Sequence, residues 1–144
     1  MTTSPQGRAL IEGFESLRTT AYQDQGGIWT IGYGHTANVK MGDTCTPAQA
    51  DAWLTDDLRT AEKAVNDAIS KTVSLTQNQF DACVSLAENI GGGAFSRSTL
   101  VSLLNRGDMT GCANQFLAWD KINDVSNQGL LNRRRAERAL FLGH

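Results

Sequence analysis

Cysteine, histidine and proline are all scarce in this chain, and each scarcity excludes something. Three cysteines, Cys45, Cys83 and Cys112, stand far apart and are odd in number. That pattern fits neither a disulfide framework nor a zinc site, so they read as small core or surface residues of a chain made in a reducing compartment. The two histidines, His35 and His144, have no neighbouring ligand types, and neither a metal nor another cofactor is expected. No apolar run approaches the ~18 residues of a membrane helix, so stable membrane insertion is not expected. The segment Met1–Arg8 also lacks the apolar core of a secretory signal. Neither sign of charge dominates: 13 Lys+Arg face 15 Asp+Glu, a net −2, which argues against a nucleic-acid partner. With 144 residues, 40% of them hydrophobic, the chain has material for one domain with one core.

The two prolines, Pro5 and Pro47, each follow a Ser or Thr, the pattern of an N-cap and a first helical residue. Behind Ser4-Pro5, the residues Leu10, Ile11, Phe14 and Leu17 form one helical stripe. Thr46-Pro47-Ala48-Gln49 is a capping box that opens a stripe of Leu54, Leu58, Ala61, Val65 and Ile69. Thr76-Gln77-Asn78-Gln79 repeats the box before Phe80, Val84 and Ala87, and Gly91-Gly92-Gly93 stops that helix. Ser98 caps a short helix through Leu100, Leu103 and Leu104. Asp108 caps another carrying Cys112, Phe116 and Trp119, the tryptophan read as core. A polar connection from Asn123 to Gln128 leads to a last helix near Leu130 to Leu142.

One stretch breaks the helical pattern. From Tyr22 to Thr36, aromatic and β-branched residues flank Gly26-Gly27, which predicts a hairpin. Two strands alone are marginal in water, so the hairpin must either pack on another element or carry a third strand from the residues after Gly34. The fold class is therefore α+β, a small glycine-rich sheet lobe set into a larger helical body.

The densest set of chemically useful residues lies here. Glu15 sits about 110° from the centre of the first apolar stripe, on its flank, in the last turn of its helix. Partial burial and the negative helix end both favour its protonated form, as a general acid requires. Asp24 enters the hairpin turn and Thr30 lies in the following strand. Taken singly, each has an ordinary reading: a surface glutamate, a turn aspartate, a strand threonine. Gly32 and Gly34 alternate with Ile31 and Tyr33, and glycine within a strand often marks the close approach of a ligand or another backbone. His35 reads as a hydrogen-bonded strand-end residue outside the catalytic set.

The run Glu15-Ser-Leu-Arg18, Ala21-Tyr22-x-Asp24-x-x-Gly27-x-Trp29-Thr30-Ile31-Gly32-Tyr33-Gly34-His35 resembles the phage-type lysozymes, the endolysins of glycoside hydrolase family 24. Leu75-Thr76, Gln79-Phe80-Asp81-Ala82, Asn89-Ile90-Gly91, Ser98-Thr99-Leu100, Phe116-x-x-Trp119 and Arg133-Arg134-Arg135-Ala136-Glu137-Arg138 extend the likeness over nearly the whole chain. The resemblance implies a single lysozyme-like catalytic domain over residues 1–144. Its sheet lobe would span about 18–46. Its helical lobe would combine the N-terminal helix with about 70–144, joined through the long helix that starts at Pro47.

It further implies that Glu15 protonates the glycosidic oxygen, Asp24 orients or deprotonates the attacking water, and Thr30 holds that water. Gly32, Tyr33 and Asn89 become candidate substrate contacts. The partner would be bacterial peptidoglycan, cleaved with inversion at the β-1,4 bond between N-acetylmuramic acid and N-acetylglucosamine. The enzyme would be a monomer made in the host cytoplasm, reaching the wall in the periplasm after holin-dependent release. A lytic transglycosylase and a catalytically silent peptidoglycan-binding module are the competing readings.

Two features are left open by this reading. Glu88 stands where relatives usually carry an apolar aromatic, so it must be exposed, paired with an arginine, or placed as a third acid at the cleft edge. The cluster Arg133-Arg134-Arg135 is either a solvated helix face with an Arg133–Glu137 pair or a surface that attracts anionic wall polymers.

Overall fold

The computed structural model describes residues 1–143. Its helix starts follow the capping signals. Ser4 accepts from the Gly7 N–H at the head of α1 (Pro5–Glu15), and complete capping boxes at Thr46 and Thr76 open α2 (Pro47–Ala68) and α3 (Gln77–Ile90). Between α1 and α2 lie β1 (Arg18–Gln23) and β2 (Trp29–Gly32). After α3 come α4 (Gly92–Ser96), α5 (Thr99–Asn105), α6 (Met109–Gln115) and a 3-10 turn (Phe116–Ala118). A short hairpin, β3 (Lys121–Ile122) and β4 (Val125–Ser126), precedes α7 (Gln128–Phe141). The arrangement is α+β, with a small sheet lobe and a helical body on either side of α2.

The core centres on α3, where every residue from Phe80 to Ala87 is buried. A helix buried all round must be enclosed by others, and α1, α2, α4 and α7 all pack on it. Cys83 and Cys112 belong to this core, Cys45 is half-buried, and all three thiols are free. Burial pushes the Cys112 thiol up to about 12, so it behaves as a small apolar group. Trp119 packs against the same core from its edge.

In the sheet lobe, β1 and β2 pair antiparallel with Tyr22 opposite Thr30, and a bulge lies between Arg18 and Tyr22. A third strand is reduced to two isolated bridges, Thr20 with Thr44 and Ile31 with His35, and the hairpin meets its need for support by packing. The lobe is fastened to α2. His35 stacks on Trp53 at 4.8 Å between ring centroids, and its Nδ1 lies 2.8 Å from Asp57 Oδ2.

Three local expectations are corrected. Leu17 is not part of the first helical stripe, because Ser16 turns to φ 53°, ends α1 at Glu15 and leaves Leu17 exposed. The glycine run stops α3 only at Gly91, and α4 begins at once; a side chain on Gly92 would come within 2.8 Å of Ala64, so glycine lets α4 lie against α2. The polar stretch after Ile122 is a tight hairpin turn with Asn123 at φ 51° and Asp124 at φ 65°. Two-residue strands show no alternation to read, so the hairpin left no hydrophobic signature.

The start of α1 is pinned. The Ser4 N–H donates to Asp81 Oδ1 at 3.0 Å, its hydroxyl donates to the same carboxylate, and Thr3 donates to Glu62 from N–H and hydroxyl at 2.7 and 2.6 Å. The Asp81 side chain reaches Ser4 across Gly7, where an added Cβ would lie 2.6 Å from Asp81 Cγ. Gly7→Ala ordinarily stabilises a helix by about 1 kcal/mol. Here it should instead cost about 1–3 kcal/mol in urea denaturation, because the new methyl displaces the Asp81 carboxylate.

Candidate active site

A cleft of about 1170 Å³ separates the two lobes and is lined from one side by Glu15, Asp24, Thr30 and Gly34 and from the other by Glu88, Asn89, Trp119 and Arg133. Glu15 is the last residue of α1, and its carboxyl lies over Gly34. A Cβ at Gly34 would run into Glu15 Oε2, and Gly34 also takes φ +74°, so two independent constraints require glycine there. The glycine pattern of the sheet lobe thus records the approach of the glutamate.

Asp24 sits in the exposed hairpin turn. The N–H groups of Gly26 and Ile28 both donate to its Oδ1, at 2.9 and 2.8 Å, which fixes the carboxyl and leaves Oδ2 available. The Thr30 hydroxyl donates to the Ile28 carbonyl at 2.9 Å, so its oxygen is left as an acceptor on the cleft wall. Tyr22 lines the same wall under the Arg18 guanidinium, 4.1 Å from the ring centroid. Burial, then the charge of Glu15, pushes the Tyr22 phenol upward, so it is a neutral hydroxyl at ordinary pH.

The opposite wall is organised by Arg133. Its Nη1 donates to Glu15 Oε1 at 2.7 Å, its Nη2 to Glu88 Oε2 at 3.1 Å and to the Ser85 carbonyl at 3.0 Å, and its Nε to Glu137 Oε2 at 3.2 Å. Burial works against its charge, but Glu137, Glu88 and Glu15 outweigh that effect and hold the guanidinium firmly protonated. Arg134 is fully buried alongside, with its Nε 2.7 Å from Glu137 Oε1 and its Nη2 donating to Asn89 Oδ1 at 2.9 Å. Ser85 donates its hydroxyl to Glu137 as well.

Glu88 is therefore paired with an arginine and is also a third acid at the cleft, its side chain only 6% exposed. Burial, reinforced by Glu15 and opposed by Arg133, pushes its carboxyl from 4.5 up to about 8.

Two expectations do not survive. Arg133 and Arg134 form neither a solvated face nor a patch for wall polymers; both are buried, and only Arg135 of the triplet is exposed. The Arg133–Glu137 pair exists, but inside the protein. A signal was present: Leu130, Arg133, Arg134, Glu137, Leu140 and Phe141 keep the helical period, so these charges occupy core-facing positions. Gly32 and Tyr33 are also not brought to the cleft. Gly32 is buried against Ala50 and Trp53 of α2, where a Cβ would lie 3.1 Å from Ala50 Cβ, and Tyr33 packs on the core. Asn89 does face the cleft, and with its Oδ1 engaged by Arg134 its amide N–H groups are directed to donate.

Across the mouth of the cleft, Asn127 Nδ2 at the head of α7 donates to Gln25 Oε1 of the hairpin turn at 2.5 Å.

The family described as Phage lysozyme matches residues 12–137. An endolysin of Acyrthosiphon pisum secondary endosymbiont phage 1 is 45% identical over 145 residues, covering 98% of each chain. Among solved structures, the endolysin from Escherichia coli O157:H7 phage FAHEc1 superposes with a TM-score of 0.89 at 41% identity, covering 99% of this chain and 94% of that one. The muramidase domain of SpmX from Asticaccaulis excentricus does so with a TM-score of 0.87 at 40% identity, covering 98% and 97%.

Removing Arg133 would strand Glu15, Glu88 and Glu137 without their shared cation. Arg133→Met should destabilise the fold by about 3–5 kcal/mol, measured by urea unfolding at neutral pH.

Proposed function

The chain belongs to the phage lysozyme family, and on that premise we propose how it acts as a glycoside hydrolase on peptidoglycan in host lysis. The bond cleaved is the β-1,4 linkage between N-acetylmuramic acid and N-acetylglucosamine, and the reaction proceeds with inversion. The observation that carries the reading is the pair of differently held carboxyls in one cleft: Glu15 partly buried on Arg133, Asp24 in an exposed turn on two backbone N–H groups. Acetal hydrolysis needs two such carboxyls with different tasks.

Glu15 gives its proton to the glycosidic oxygen as the leaving sugar departs. A water molecule donates one hydrogen to Asp24 Oδ2 and the other to Thr30 Oγ1, which can only accept because its own proton is committed to Ile28. With both hydrogens so directed, the water's lone pair is turned toward the anomeric carbon. Asp24 takes the proton as the new C–O bond forms, and the anomeric configuration inverts. The Asn89 amide donates to an N-acetyl carbonyl of the glycan.

No helix among the described residues is long and apolar enough to cross a membrane. The family likeness supports a monomer made in the host cytoplasm that reaches the wall through a holin-type lesion. Expression with and without a holin checks this: lysis that proceeds equally in both overturns it.

Glu15→Gln should lower wall-clearing activity by at least about 10²–10⁴-fold in a folded protein, since an amide delivers no proton. Asp24→Asn should be nearly as damaging. Mass analysis of digested peptidoglycan should show reducing muropeptides, released first as the inverted anomer. Anhydro-muropeptides as main products would instead identify a transglycosylase, and wall binding without clearing a silent module.

A further inference from the structure

Glu88 has a role that neither the acid nor the water-activating residues fill. Two guanidinium cations, Arg133 and Arg134, face three carboxyls, those of Glu15, Glu88 and Glu137, in a largely buried cluster. The side chains of Glu88 and Glu137 are 6% and 0% exposed, and that of Glu15 is 14% exposed. With every group charged the cluster carries one uncompensated negative charge; with one proton on a carboxyl it is neutral. A buried uncompensated charge is costly, and adjacent carboxyls avoid it by sharing a proton. Glu137 is held by both cations, its Oε2 accepting from Arg133, Arg134 and the Ser85 hydroxyl and its Oε1 lying 2.7 Å from Arg134 Nε, so the proton falls to the other two.

We propose that Glu15 and Glu88 hold one proton between them on Arg133, and that Glu88 is the site from which Glu15 is reprotonated after each bond cleavage. The inference rests on Glu15 as the general acid.

The geometry supports it directly. The two terminal nitrogens of one guanidinium hold Glu15 Oε1 and Glu88 Oε2, at 2.7 and 3.1 Å, which brings the two carboxyls side by side. Glu88 also lines the cleft, so it can exchange protons with solvent there. Among the described residues, the titratable and charged groups around Glu88 are Glu15 from α1 and Arg133, Arg134 and Glu137 from α7, with Tyr22 of the sheet lobe beyond Glu15. The elevation of the Glu88 carboxyl to about 8 keeps the pair supplied with a proton through neutral pH.

The step balances. Bond cleavage leaves Glu15 as a carboxylate. With the shared proton gone, Glu88 takes a proton from cleft water, and its O–H bond breaks as a new O–H bond forms on Glu15. The proton that Asp24 took from the nucleophile returns to solvent, so each turnover ends where it began. Glu88 acts through Glu15 and does not touch the glycan's reacting atoms.

The test is the pH dependence of kcat/KM for wild type and Glu88→Gln on a soluble peptidoglycan fragment, with Glu15→Gln alongside. An amide can hydrogen-bond to Glu15 but supplies no proton, so the alkaline limb should move to lower pH by about one unit or more. A structural role alone would scale activity without moving the limb.

A second readout needs no activity. A carboxyl whose folded-state value lies above its unfolded value favours the fold only while protonated. Glu88 should therefore make wild type lose stability as pH rises from 4.5 to about 8, a slope that Glu88→Gln removes. An unmoved limb, or an equal slope in the two proteins, overturns the proton sharing while a dead Glu15→Gln leaves the acid assignment standing. A Glu15→Gln enzyme that still clears wall overturns both.

Discussion

The guanidinium of Arg133 is hydrogen-bonded to Glu15 at the end of α1, to Glu88 and Ser85 on α3 and to Glu137 one turn along its own helix. Three helices that converge from distant parts of the chain thus meet at one cation. The same contact that joins them sets the position of the carboxyl facing the substrate. Desolvating an arginine is expensive, and it is tolerated here because each of its three nitrogens donates to an oxygen and three carboxyls surround the charge. Stability and chemistry are therefore coupled at one site: the cleft wall stands where it does because Arg133 stays charged.

Much of this was legible in the sequence, and for identifiable reasons. Capping boxes at Thr46 and Thr76 are local chemistry, complete within four residues, and they mark the starts of α2 and α3 where the structure has them. The aromatic and glycine run after Tyr22 gives the hairpin for the same reason. Glu15, Asp24 and Thr30 line one cleft; the residues alone marked the region as the densest in useful chemistry and Glu15 as suited to an acid, while the family likeness supplied the role of each. The lining by Asn89 was readable too, while Gly32 and Tyr33 lie elsewhere because glycine there serves packing against α2.

What escaped was long-range. The Arg133–Glu15 contact spans most of the chain and has no local signature, so three consecutive arginines read as surface charge. The apparent concentration of positive charge in the C-terminal helix is largely internal: two of its arginines are buried and paired with carboxyls. Burial inverts the meaning of composition here. A sum of charges along a segment says little about the field outside the protein when the charges are held in the core.

The pinning of α1 at Ser4 and Asp81 has one more consequence. The helix is clamped at its head by side chains from α2 and α3, and Glu15 projects from its other end toward Arg133. Each residue of an α-helix adds about 100° of rotation and 1.5 Å of advance. The angular position of the acid is consequently counted out from the clamp, residue by residue, as on a vernier. Inserting or deleting a single residue within α1 would turn the carboxyl away from both Gly34 and the arginine, even with every neighbouring side chain intact. The eleven residues of this helix function as a gauge whose length is as constrained as any identity within it.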